Sequence, residues 1–330
     1  MKHFVCVAMV LLVSVGYVQA AEVPFVELKG HTEAVNSAVF SSDGTKILTG
    51  SDDKTVRIWN MESGKELQRL EGHTREVMSV AFSPDGKTVA TASQDEFIRI
   101  WNIETGKVVQ TLKGIGDCEF LSAIFSPDGK KILAMYMYQY IGPHDEGNYD
   151  VEFFHRATYM WDVESGKVLN APAGFFSDLE SIAFSSDGKK AITAHAFRDV
   201  CIWDMESGRW SSIEMSTNYH SRVLYATFSP DGKKIVTVSR DNTVRIWDAS
   251  GKELLKLGQT QRVISATFSP DSKKVVTAGV DVRIFDAESG EELKNLEGHT
   301  REVMSVAFSP DGKRLVTASN DHTARIWTLE

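Results

Sequence analysis

Apolar and polar positions follow one another at strand-like spacing along this chain, in short runs broken by turn residues. In Val77–Ser93 (VMSVAFSPDGKTVATAS), two apolar runs flank Pro84-Asp85-Gly86. Proline presets one turn dihedral and glycine accepts the positive φ that other residues resist, so the stretch predicts a β-hairpin. A second tight turn at Gln94 and Asp95 leads into a third strand, Phe97–Trp101. Glu104-Thr105-Gly106-Lys107 then turns the chain into a fourth, Val108–Leu112.

This unit recurs. The eighteen residues Leu70–Lys87 reappear without change as Leu296–Lys313, the mark of an internal duplication. The phrase FSxDG or a near variant starts at Phe40, Phe82, Phe125, Phe184, Phe228, Phe268 and Phe308. Each copy runs on to a terminal aromatic: Trp59, Trp101, Trp161, Trp203, Trp247, Phe285 and Trp327, at spacings of 42, 60, 42, 44, 38 and 42 residues. Four short antiparallel strands repeated seven times predict a ring of four-stranded blades.

A Gly-His start and a Trp-Asp-like end at this period resemble the WD-repeat family, over Pro24–Glu330. The resemblance implies an all-β, seven-bladed β-propeller of four-stranded antiparallel blades. The chain stops on the third strand of the seventh unit, and Val23–Leu28 looks like a fourth strand. In the family the N-terminal strand completes the last blade, which removes two exposed sheet edges. The resemblance also gives a structural role to residues that mimic a Ser-His-Asp triad. His31, Ser51, Asp53 and Trp59 form one set. His73, Ser93, Asp95 and Trp101 form a second, and His299, Ser319, Asp321 and Trp327 a third. It implies a hydrogen-bond chain inside each blade, from Trp to Ser or Thr, to His, to Asp. The set degrades in blades 3, 4 and 6, where Gly116, His195 with Phe197, and Gln259 replace members; those blades are expected to rely on apolar packing. In blade 5, Tyr219 falls at the His position and His220 one residue late.

Residues 1–20 differ from the rest. Lys2 and His3 precede the apolar run Phe4–Val18, followed by Gln19 and Ala20, which describes a secretory signal cut after Ala20. The expected domains are this leader at 1–20 and one propeller at 21–330, with no membrane span in the mature chain. Removing one lysine of 36 basic residues against 45 acidic ones leaves a net charge of −10, which disfavours nucleic acid and anionic membrane surfaces. Cys118 and Cys201 fall on different elements and are expected to be free thiols. The lack of an Asn-x-Ser/Thr sequon is mildly consistent with a bacterial source. Localisation is expected to be periplasmic or extracellular.

Blade 3 holds an insertion within Ala134–Ala157 (AMYMYQYIGPHDEGNYDVEFFHRA), rich in Tyr, Phe and Met. Two readings stand: a contact surface, or an extended hairpin that covers its own aromatics. No His-Glu-x-x-His, Gly-x-Ser-x-Gly or Cys-x-x-Cys pattern occurs, and no metal, cofactor or catalytic residue is assigned; His144 and His155 lack further ligands.

In proteins of this resemblance, partners commonly bind the face carrying the entry to the first strand and the tight turn before the third. The equivalent positions supply Arg222, Arg240 and Arg262 in blades 5 and 6, and Glu302, Glu76, Glu119, Asp178 and Glu180 in blades 7, 2, 3 and 4. Inner positions supply Met78, Leu121, Leu224, Ile264 and Met304. The expectation is a face with an apolar centre, an acidic arc and a basic sector, suited to a peptide or loop carrying an anionic group. The leading functional reading is a non-enzymatic protein-interaction scaffold. The alternatives are a carbohydrate or cell-wall binder using the insertion, and a propeller enzyme with a channel site.

Overall fold

A computed structural model describes residues 23–114, 116–143, 150–169, 179–195, 200–213, 222–258 and 261–329, with the backbone alone described at 139–143 and 150–154. The leader at 1–20 lies outside the described residues. So do Phe197, Asp178, Tyr219, His220, Gln259 and His144.

The described residues form seven four-stranded antiparallel sheets and no helix. Blade 1 runs outward through Val35–Phe40, Lys46–Ser51, Val56–Asn60 and Glu66–Leu70. Each hairpin between the first two strands is closed by Ser-x-Asp and a positive-φ residue, which is Gly in six blades and Ser272 in blade 6. In blade 2, Ser83 Oγ donates to Asp85 Oδ1 at 2.6 Å, Asp85 accepts the Lys87 N–H at 3.0 Å, and Gly86 holds φ +67°. The motif recurs because a positive φ and a short acceptor side chain together make this turn.

The ring closes as the repeat predicts. Phe25–Leu28 is the outer strand of blade 7, paired antiparallel with Ala324–Thr328 from Phe25↔Trp327 to Leu28↔Ala324. Apolar clusters lie between blades. Leu28, Ala324 and Ile326 of blade 7 pack with Val35, Ile47 and Trp59 of blade 1. Around the channel, first strands are also joined by serines. Ser37, Ser79, Ser181 and Ser305 accept the N–H groups of Val80, Ala123, Ala226 and Ala38, at 3.0 to 3.4 Å. Blade 5 carries the half-buried Tyr225 at this position.

Blade 3 departs from the pattern. Its second and third strands, Lys131–Pro143 and Asp150–Asp162, are 13 residues each and pair without a break from Lys131↔Asp162 to Pro143↔Asp150. The insertion is an extended hairpin. Cys118 and Cys201 are both buried and form no disulfide with each other, as expected.

Candidate functional site

The three repeated polar sets form hydrogen-bond chains, with one correction. In blade 1 the Trp59 indole N–H donates to Thr49 Oγ1 at 2.9 Å, His31 Nε2 meets the same oxygen at 2.8 Å, and His31 Nδ1 meets Asp53 Oδ2 at 2.8 Å. Blades 2 and 7 repeat this through Thr91 and Thr317. The hydroxyl in the chain is therefore threonine, and not Ser51, Ser93 or Ser319. These positions share one face of the strand, but the imidazole reaches only the nearer one. Ser51 Oγ instead accepts the Asp53 N–H at 3.1 Å and donates to Glu33 C=O at 3.3 Å, bracing the tight turn. A hydroxyl buried in that role, away from the imidazole, is no nucleophile of a triad.

The aspartates tie the Gly-His loop to the turn. Asp53 accepts the Thr32 N–H at 3.1 Å and the Thr55 N–H at 3.0 Å. Burial alone would raise its pKa, but the hydrogen bonds from His31 and Thr55 hold the carboxyl well below the usual range. Asp95 behaves alike, and Asp321 is lowered to about 2 against the same burial. Burial lowers the pKa of His73 and His299, against the pull of their aspartates.

The threonine link outlasts the full set. Trp203 donates to Thr193 and Trp247 to Thr237, both at 2.9 Å. In blade 4, buried His195 bonds Thr193 from within the same strand, at 2.9 Å, so that blade keeps a polar network where apolar packing was expected. Blade 3 follows the expectation. Ala134 stands at the threonine position, and Phe120, Tyr136, Tyr159 and Trp161 pack ring on ring.

On the face of the tight turns, Arg222, Arg240 and Arg262 line one pocket of about 530 Å³ with Leu224, Glu180 and Asn242. Arg240 and Arg262 are exposed and Arg222 is half-buried. The backbone fixes the spacing, since the Arg240 N–H donates to Arg222 C=O at 2.8 Å. Asn242 enters from the turn with φ +62°, a conformation asparagine tolerates better than most residues.

The acidic arc is less of a free anionic surface than the charges suggest. Arg75 bonds Glu119 across the boundary of blades 2 and 3 at 2.7 Å and approaches Glu76 at 3.7 Å. Arg262 bonds Glu302 across blades 6 and 7 at 2.9 Å. Arg156, on the blade 3 hairpin, bonds Glu180 of blade 4. A second cavity of about 500 Å³ lies where blades 7 and 1 meet, lined by Glu33, Asp52, Arg301, Glu302 and His322 among others. Met78, Leu121, Leu224, Ile264 and Met304 are all half-buried, and of these only Leu224 lines the arginine pocket.

In the hairpin, Tyr136 and Tyr159 stack at 4.5 Å with planes 6° apart, and Tyr138 lies 5.6 Å from His155. Its inner aromatics thus cover one another. Among the described residues no group of three or more metal-ligating side chains forms.

The WD domain, G-beta repeat family matches residues 22–60, 64–102, 213–248 and 290–328, which fall on blades 7 with 1, 1 with 2, 4 with 5, and 6 with 7. The chain carries WD40 repeats. The unmatched repeats include blade 3, where the hairpin interrupts the period, and the first three strands of blade 4, where His195 replaces serine. Periodic tryptophan protein 2 of Saccharomyces cerevisiae is 37% identical over 186 residues, 56% of this chain and 18% of that protein. Apoptotic protease-activating factor 1 of Rattus norvegicus is 46% identical over 44 residues, 13% of this chain and 4% of that one. Lissencephaly-1 homolog 1 of Paramecium tetraurelia is 42% identical over 43 residues, 13% of this chain and 11% of that one. The chain spans less than a fifth of the length of each relative. These organisms are eukaryotes, so the relatives lend no support to a bacterial source.

Several residues of these blades differ in how plainly the sequence marks them. Thr49, Thr91, Thr193, Thr237, Thr277 and Thr317 recur two residues before the expected serine position in six of seven blades, a signal that was there to find. Arg156 and Asn242 carry no repeat signal, whereas Arg75 recurs as Arg301 in the duplicated segment.

Proposed function

We propose that this WD40 propeller is a non-enzymatic interaction scaffold acting outside the cytoplasm. Its partner is an extended peptide or loop that sets an anionic group against Arg222, Arg240 and Arg262. The observation that carries this reading is the convergence of the three arginines on one open pocket, with Leu224 beside them to take an apolar neighbour of the anion. Guanidinium groups suit this task because their planar donors match carboxylate and phosphate oxygens. The signal-like residues 1–20 support export. Tyr136 is buried and stacks on the half-buried Tyr159, so this pair is taken up by its own contact, which favours the protein partner over the carbohydrate alternative.

The test is capture from secreted or periplasmic extract by the protein and by its R222E/R240E/R262E variant, with N-terminal sequencing of the exported form. The reading expects a partner retained by the first and lost by the second, capture that weakens with salt, and Ala21 as the first residue. Equal retention by both baits would end the arginine assignment. A retained leader would end the export assignment.

A further inference from the structure

The arginine pocket contains its own competitor. Glu180, on the first strand of blade 4, lines the same cavity as Arg222, Arg240 and Arg262. A carboxylate in that position can occupy the guanidinium donors that an incoming anion needs. In the structure it is bound from the other side. Arg156 reaches over from the blade 3 hairpin and donates through Nη1 to Glu180 Oε2, and the same nitrogen donates to Leu179 C=O at 3.1 Å. Two acceptors on adjacent residues hold the guanidinium in place. Both partners are largely sheltered, with side chains 32% and 21% exposed, so the pair is screened less than an open surface pair.

Arg156 belongs to the insertion. In the other blades the two middle strands are five or six residues long, against 13 in blade 3. The position of Arg156 is itself fixed, because its strand is in register with Met137 opposite and the neighbouring pairs Tyr136–Tyr159 and Tyr138–His155 pack at the hairpin root. The far side of the pocket is arranged differently. There Glu302 bonds Arg262, a lining residue, and so occupies part of the cationic surface.

Building on the proposed anion-binding role of this pocket, we infer that Arg156 is its specificity-determining positioning residue, holding the Glu180 carboxylate away from Arg222, Arg240 and Arg262 so that an acidic peptide can bind. The blade 3 hairpin then serves the site without touching the ligand. Loss of Arg156 releases Glu180 toward the arginines, and the pocket partly neutralises itself. The effect is electrostatic and is reversed when Glu180 loses its charge.

The experiment measures binding of a fluorescein-labelled hexaglutamate peptide at low ionic strength by anisotropy, with hexalysine as control. The full-length mature protein is compared with its variants, and each variant's thermal melt is recorded. R222E/R240E/R262E tests the pocket itself; failure of the unaltered protein to bind hexaglutamate overturns the anion-binding role and this inference together. Given binding, R156A is expected to weaken it five- to tenfold, R156K to restore most of it, and R156A/E180Q to return it to within twofold of the unaltered protein. Unchanged affinity in R156A overturns the inference and leaves the pocket assignment standing. Failure of R156A/E180Q to recover also overturns it, since the loss would then come from the hairpin and not from Glu180.

Discussion

The indole nitrogen of Trp59 donates to Thr49 Oγ1 at 2.9 Å, and that oxygen also meets His31, so one buried hydroxyl joins the third strand of blade 1 to the loop before its first. Thr49→Val keeps the shape and removes the partner of two buried groups. Each orphaned group costs about 1–3 kcal/mol, so a loss of about 2 kcal/mol or more is expected in urea unfolding. Thr49→Ser keeps the hydroxyl and gives up one buried methyl, for a loss of about 1 kcal/mol. Equal losses in the two variants would show that the hydroxyl carries nothing.

Stability should fall with acid in two windows. His73 and His299 have folded pKa values below the usual 6.5. The unfolded chain therefore binds more protons as pH drops below about 6.5, and stability declines there. Asp53, Asp95 and Asp321 are lowered from 3.8, so their contribution is complete above about pH 4 and is lost as pH falls further. Urea midpoints from pH 8 to pH 3 read both slopes. A midpoint that rises on acidification from pH 7 to 5 would contradict the sign.

Ring closure rests on a short strand whose Leu28 is fully buried. Leu28→Ala is expected to cost about 2–5 kcal/mol, as for other buried leucines. Phe25→Ala removes a ring that is 41% exposed and lies 4.3 Å from the Arg325 guanidinium. Its cost should be smaller, about 1 kcal/mol. Thermal melts of the two variants give the comparison, and a larger loss at Phe25 would place the closure energy elsewhere.

Both cysteines should be silent in the folded protein. Cys118 is buried, and that burial, with Glu96 nearby, pushes its thiol up to about 11. Iodoacetamide at pH 8 should label neither Cys118 nor Cys201 until urea unfolds the chain, with mass spectrometry as the readout. Rapid labelling of either thiol in native buffer would reveal local opening of blade 3 or 4.

Much of this architecture is legible in the residues because its causes are local. The Pro84-Asp85-Gly86 turn and the alternation around it suffice to predict the blades, while the resemblance to the WD-repeat family supplies the closure through Phe25–Leu28. The polar chain was readable in its members but not in its geometry. Thr49 and Ser51 share one face, and only the reach of His31 distinguishes them. The charge map shows the same limit of a blade-by-blade view. Glu119 and Glu302 look like one arc when taken blade by blade, yet the ring sets Arg75 and Arg262 of the neighbouring blades beside them. His195 looked like a loss, because nothing local says that it turns to Thr193 in its own strand.

The pairing of Phe25–Leu28 with Ala324–Thr328 also orders events during synthesis. Phe25–Leu28 is made long before Ala324–Thr328, the strand it pairs with. Until Ala324–Thr328 appears, blade 7 is incomplete and the ring between blades 7 and 1 stays open.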